Sequence, residues 1–253
     1  MLTIVLLPGM DGTGQLFAPF ISALGSEFNV HVIQYPTVGA LGYEELEAIA
    51  KKQLPSTGCF VILGESFSGP IAISLAASQP PGLVGLVLCS SFARNPHSAF
   101  SVLGPLVRVL PVKLAPLALL SHLLMGQFAT PALRSSLSSA LAQVSTSTFR
   151  ARVKAVLSCD ASAKLKTINV PLMYLLAVHD RVVPADAAKH VARIMPSTQI
   201  VPIDAPHFLL QAAPTAAANV VGAFMRQVQN SVEPVHAAYL ERSASEGSRM
   251  SVT

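Results

Sequence analysis

Residues 62–77 read ILGESFSGPIAISLAA, a run suited to a buried strand, then a turn, then a small-residue helix. Ser66 stands at that turn, where a strand–turn–helix pushes a side chain out of the sheet. The local pattern is Gly64-Glu65-Ser66-Phe67-Ser68, one residue away from Gly-x-Ser-x-Gly, and Gly69 follows. A serine hydroxyl is a poor nucleophile until a base takes its proton and a third group orients that base. The Phe67 N–H opens the helix, and helix N-termini stabilise developing negative charge, so one turn can offer both a nucleophile and an anion-binding donor. By itself this turn is a weak signal; a base and an acid must come from elsewhere in the chain.

The chain has seven histidines. His207 lies in IVPIDAPHFLLQAAP, a strand, a short loop and a helix, which places it at the carboxyl edge of the last strand. Ligand sites of open α/β sheets lie along that edge. His31 sits inside a strand, His190 on a helix and His236 in the tail; His97 and His122 fall in a long insertion. For the acid, Asp180 in YLLAVHDRVVP follows a strand directly, with Asp204, Asp160 and Asp11 as rivals. The glycine-rich LLPGMDGTGQLF after the first strand fits neither dinucleotide nor P-loop spacing. A loop of this kind can instead aim a backbone N–H at an oxyanion, and by position Met10 is that donor, paired with Phe67.

These residues need a scaffold that gathers strand ends. Short apolar runs at 2–7, 29–35, 59–64, 83–90, 171–178 and 198–204 alternate with helical patterns at 15–25, 43–54, 68–79, 185–195 and 208–228. That alternation predicts a parallel sheet covered on both faces, whose strands need no polar alternation. The core is expected over 1–91 and 167–230. Between them, 92–166 is rich in Leu, Ala, Ser and Pro and predicts several short helices forming an inserted cap. Residues 231–253 lose apolar periodicity and read as a flexible tail.

With the four segments in this order, LPGMDGTGQLFAPF and GESFSGPIAISLA resemble the α/β-hydrolase superfamily over 1 to about 228, especially compact bacterial serine hydrolases. The two stretches are also similar to the hydrolase-like region of plant phytyl ester synthase-type acyltransferases. The resemblance implies a minimal, mostly parallel six-stranded sheet lacking the usual antiparallel start. It implies Ser66 as nucleophile, His207 as general base and then acid, and Asp180 as the orienting acid, with Met10 and Phe67 N–H groups forming the oxyanion hole. Two departures stand out: Pro8-Gly9 in place of His-Gly, and Ser68 in place of the second elbow glycine.

Composition bounds the rest. Apolar residues make up 51% of the 253 and charged residues 12%, which excludes disorder. Mean hydropathy is +0.54, yet the longest uncharged apolar stretch, 114–129, is short of the ~20 residues of a membrane span. The start MLTIVLLPGMDG lacks a basic leader region, and three spaced cysteines suit a reducing compartment, so a cytoplasmic protein is expected. No cofactor and no metal site are expected. Between 92 and 170 nine basic residues face one acid, a net of +8, while the remaining eight basic and twelve acidic residues give −4. That asymmetry suggests a small ester or thioester presented on an anionic carrier, or at most a peripheral membrane contact. Nucleic acid is not expected, because the basic residues alternate with Leu and Pro and there is no Trp. Leu123, Met125 and Phe128 are expected to line an apolar acyl pocket. The reading is a serine esterase or thioesterase, with an acyltransferase or a silent lipid-binding module as alternatives.

Overall fold

The computed structural model describes residues 1–96 and 117–249, with side chains through residue 231. Six strands form one sheet: β1 (Thr3–Leu7), β2 (Asn29–Val32), β3 (Phe60–Glu65), β4 (Leu83–Cys89), β5 (Leu172–Ala177) and β6 (Gln199–Ile203). Their spatial order is β2-β1-β3-β4-β5-β6, and every pairing is parallel. The chain leaves β1 toward β2 and returns to β3 on the other side of β1. The crevice for a ligand therefore opens between the carboxyl ends of β1 and β3. Leu7 is in register with Gly64, so the glycine-rich loop begins beside the turn that carries Ser66.

Both faces of the sheet are buried, which is why the strands read as continuous apolar runs. Along β3 the side chains alternate between two cores. Val61 and Leu63 join Phe20 and Leu24 of α1 (Ala18–Leu24) and Val221 and Phe224 of the last helix. Phe60 and Ile62 join Leu46 of α2 (Tyr43–Lys52) and Ile71, Ile73 and Leu75 of α3 (Gly69–Ala77). Each aliphatic side chain so buried contributes roughly 1.5–3 kcal/mol.

Between β4 and β5 the described residues of the insertion form four helices, α4 (Leu117–Met125), α5 (Pro131–Gln143), α6 (Thr146–Leu157) and α7 (Ser162–Leu165). Thr130 and Ser145 cap α5 and α6, accepting from the Leu133 and Thr148 N–H groups at 3.2 and 3.1 Å. The two ends of the insertion are pinned together by Ala161 N–H to the Ala93 carbonyl and Asn95 N–H to the Cys159 carbonyl. Met125, Leu137 and Ala140 form a small core with Leu16 and Phe208 that seats the insertion on the sheet edge. The stretch 97–116, part of the expected cap and of its apolar lining, lies outside the described residues.

After β5 come α8 (Asp186–Ile194), then β6, α9 (Leu209–Ala212) and α10 (Pro214–Arg249). Two helices differ from the sequence pattern. The helix expected at 15–25 opens with a 3-10 turn, Gln15–Phe17, because Pro19 sets the start of α1. The helix expected at 208–228 is broken at Ala213, restarts at Pro214 and runs through the segment read as a tail as far as Arg249. The Ala, Leu, Glu and Arg residues of 237–242 favour helix locally without needing an apolar face. Among the described residues, no helix is long and apolar enough to cross a membrane.

Candidate active site

Ser66 follows β3 directly and takes φ 48°, a left-handed backbone that costs a non-glycine residue on the order of 1–3 kcal/mol. Its neighbours enforce the turn. A Cβ on Gly64 would lie 2.7 Å from Cβ of Ala72, and one on Gly69 would lie 1.8 Å from Oγ of Ser91. The Ser91 hydroxyl donates to the Ser66 carbonyl at 2.5 Å, and the Tyr174 hydroxyl in turn donates to the Ser91 carbonyl. The space-demanding glycine on the far side is thus Gly69, which explains how Ser68 is accommodated. Ser68 is fully buried in right-handed helical geometry; its hydroxyl donates to the Pro8 carbonyl and accepts from Tyr35 Oη at 2.9 Å. The departure from the glycine pattern ties the turn to the glycine-rich loop.

His207 and Asp180 converge on Ser66 from the ends of β6 and β5. His207 Nε2 lies 2.8 Å from Ser66 Oγ, and His207 Nδ1 lies 2.8 Å from Asp180 Oδ2. Both side chains are 4% exposed. Asp180 Oδ1 accepts the Val182 and Val183 N–H groups, each at 2.8 Å. A carboxylate held this way accepts the hydrogen bond of Nδ1–H, leaving Nε2 as the acceptor for the serine hydroxyl. The rival acids are engaged elsewhere: Asp204 with His179 on the surface, Asp160 with the Ser162 N–H, and Asp11 with Thr13.

The other flank is the loop 8–14. Phe67 sits in the first turn after β3, where N–H groups lack helical acceptors; its ring stacks on Tyr43 at 4.8 Å, and Tyr43 Oη donates to its carbonyl. Met10 and Asp11 turn their carbonyls to Nη1 of Arg152 at 2.7 and 2.9 Å. Glu65, the last residue of β3, is buried beside Asp11 and His207 and accepts from Gln211 Nε2 at 2.9 Å and from the Gly9 N–H. Burial pushes the Glu65 carboxyl up from 4.5 to about 7, with Asp11 adding to the rise and Gln211, His207 and Gly9 opposing it.

Leu123, Met125 and Phe128 have three different surroundings. Met125 is fully buried in the small core of the insertion, Leu123 is 36% exposed, and Phe128 tilts against His179 at 5.5 Å. A cavity of about 870 Å³ opens between α2, α3, α6 and α7, with Tyr43, Ile71, Lys154 and Cys159 in its walls; Ser66, Asp180 and His207 do not line it. Among the described residues, no cluster of His, Cys, Asp or Glu side chains could hold a metal ion.

Sequence reading missed Glu65, Arg152, Tyr35 and Ser91. Glu65 carries a signal, a lone charge in FVILGE directly before the serine. Arg152 shares a helix face with buried Thr148, four residues earlier, but its type alone merges with Arg150 and Lys154 on the same helix.

The family model matched by residues 4–220 is that of the alpha/beta hydrolase family, and the chain belongs to it. Phytyl ester synthase 1, chloroplastic, of Arabidopsis thaliana is 29% identical over 119 residues, 44% of this chain but only 17% of that protein. The candidate carbamate hydrolase RutD of Pseudomonas syringae pv. syringae (strain B728a) is 24% identical over 220 residues, 79% of this chain and 83% of RutD. Among solved structures, the hydrolase olei00960 from Oleispira antarctica superposes with TM-score 0.77 at 16% identity, covering 89% of this chain and 91% of its own.

Proposed function

We propose that the protein is a serine hydrolase that cleaves carboxylic esters or thioesters of apolar acyl groups through an acyl-enzyme. The observation that carries this reading is the hydrogen-bonded series Ser66, His207, Asp180 at the carboxyl edge of the sheet, with Ser66 on a left-handed turn. Ser66 Oγ attacks the substrate carbonyl while His207 Nε2 takes its proton. The tetrahedral oxyanion is held by the N–H groups of Met10 and Phe67. His207 gives its proton to the leaving alcohol or thiol, and Asp180 stabilises the imidazolium in between. Water, deprotonated by His207, then attacks the acyl-serine and releases the acid. The insertion acts as a cap, and its leucines contribute an apolar surface for the acyl chain. With its three cysteines free, the protein suits a reducing, cytoplasmic setting.

The likeness to a plant ester synthase favours a second reading, in which an alcohol replaces water in the last step. A chain-length series of p-nitrophenyl esters and acyl thioesters, run with and without long-chain alcohols, tests both. Release of free acid, with preference for longer chains and loss in Ser66→Ala, is the expected result. New ester formed at the expense of acid selects the transfer reading. No turnover of any ester by folded protein overturns both.

A further inference from the structure

Arg152 heads the largest fully buried side chains among the described residues, on a helix of the insertion rather than in the sheet. A buried guanidinium is costly unless its donors are satisfied, and carboxylates are its usual partners. Here the carboxylate that acts on its charge, Asp11, spends Oδ2 on the N–H and hydroxyl of Thr13. Arg152 instead donates to three main-chain carbonyls: Met10 and Asp11 through Nη1, and Pro36 through Nη2 at 2.9 Å. Its guanidinium also faces the Tyr35 ring at 5.8 Å. The loop leaves room for it: a Cβ on Gly12, at φ 73°, would lie 2.7 Å from Nη1.

We propose that Arg152 is a positioning residue for the oxyanion hole, carried by the insertion and acting through the backbone of Met10. This rests on the reading of Met10 as an oxyanion donor. The peptides around that donor are clamped from both sides. Ser68 holds the Pro8 carbonyl and Glu65 the Gly9 N–H upstream; Arg152 holds the Met10 and Asp11 carbonyls downstream. A donor preset in this way needs no reorganisation when charge develops on the substrate oxygen. It also makes the hole depend on the insertion being seated, because α6 supplies the clamp. A lysine retains the charge and stem but lacks the planar fork that bridges several carbonyls.

The test compares wild type, Arg152→Lys and Arg152→Met in p-nitrophenyl butyrate hydrolysis, fluorophosphonate labelling rate and thermal melting. Folded variants are expected to lose about 10- to 100-fold in kcat with KM within about threefold, and labelling should slow by a similar factor because the phosphonyl oxygen occupies the same hole. A folded variant with kcat within about twofold of wild type, or with its loss confined to KM, overturns the proposal. If both variants fail to fold, NMR of the native protein decides. On phosphonylation of Ser66, the Met10 amide and the Arg152 Nη resonances should shift together. A shift at Met10 without one at Arg152 refutes the positioning role and leaves the hole intact. An unmoved Met10 amide in labelled protein refutes the hole itself.

Discussion

The two flanks of Ser66 are built on opposite plans. On one, two side chains stand in series, His207 and Asp180, each delivered by the loop after its own strand and oriented mostly by local contacts. Asp180 is fixed by the N–H groups two and three residues ahead of it, and the two loops are joined by the His179 N–H to the Ala205 carbonyl. On the other flank the proposed donors belong to the main chain, and loop 8–14 is held by groups far away in sequence: Ser68, Glu65, Tyr35 and, from the insertion, Arg152. A base must be a particular residue type, whereas an N–H can come from any residue except proline. Its precision has to be imposed from outside.

This contrast can be broken at graded points. Removing the acid–base flank should have the largest effect: His207→Ala or Asp180→Asn is expected to lower kcat about 10⁴-fold. Both should leave the melting temperature close to wild type, and a mild loss of activity would deny this flank its catalytic role.

Next comes Glu65. Its raised pKa means that between about pH 4.5 and about 7 the unfolded chain releases a proton that the folded chain keeps. Stability should therefore fall as pH rises through that window, by an amount on the order of 3 kcal/mol. Below it both states are protonated; above it the loss is complete. Glu65→Gln imitates the neutral form, so urea unfolding of wild type and variant from pH 4 to 8 should give curves that diverge with rising pH. Parallel curves would mean that the carboxyl ionises without penalty.

Ser68→Gly restores the family-like glycine, yet it strands the Pro8 carbonyl and the Tyr35 hydroxyl. We expect a loss of about 1–3 kcal/mol in stability, with a lower kcat at little-changed KM. An equal or better enzyme would show that the hydroxyl only fills space. At the small end, Arg226 and Glu27 pair at 2.8 Å with both side chains about half exposed. Arg226→Ala should change stability by no more than about 0.5 kcal/mol and leave activity alone, as a control remote from both flanks.

The same contrast decides what the sequence disclosed. The six strands and the convergence of Ser66, Asp180 and His207 were legible, because buried parallel strands are apolar runs and these three residues sit where such runs end. Boundaries at the strands moved by a residue or so, except at β2, which closes at Val32 rather than residue 35. The partners of loop 8–14 were illegible for a physical reason. Ser68 looked like a flaw in the turn, and Arg152 like one charge in a basic surface, until folding brought them to neighbouring carbonyls of one loop. Charge counting also overstated the basic face of the insertion, since Arg152 points inward and Lys164 pairs with Glu47. Met125 shows the reverse limit: an apolar residue in a helical insertion reads the same whether it lines a pocket or, as here, packs the insertion's own core.

Intact-mass analysis after fluorophosphonate treatment tests the central claim most directly. A single adduct is expected on the folded native chain, absent from Ser66→Ala and greatly slowed in His207→Ala. Native protein that remains unlabelled, or a Ser66→Ala variant that still takes up the probe at the same rate, would contradict it.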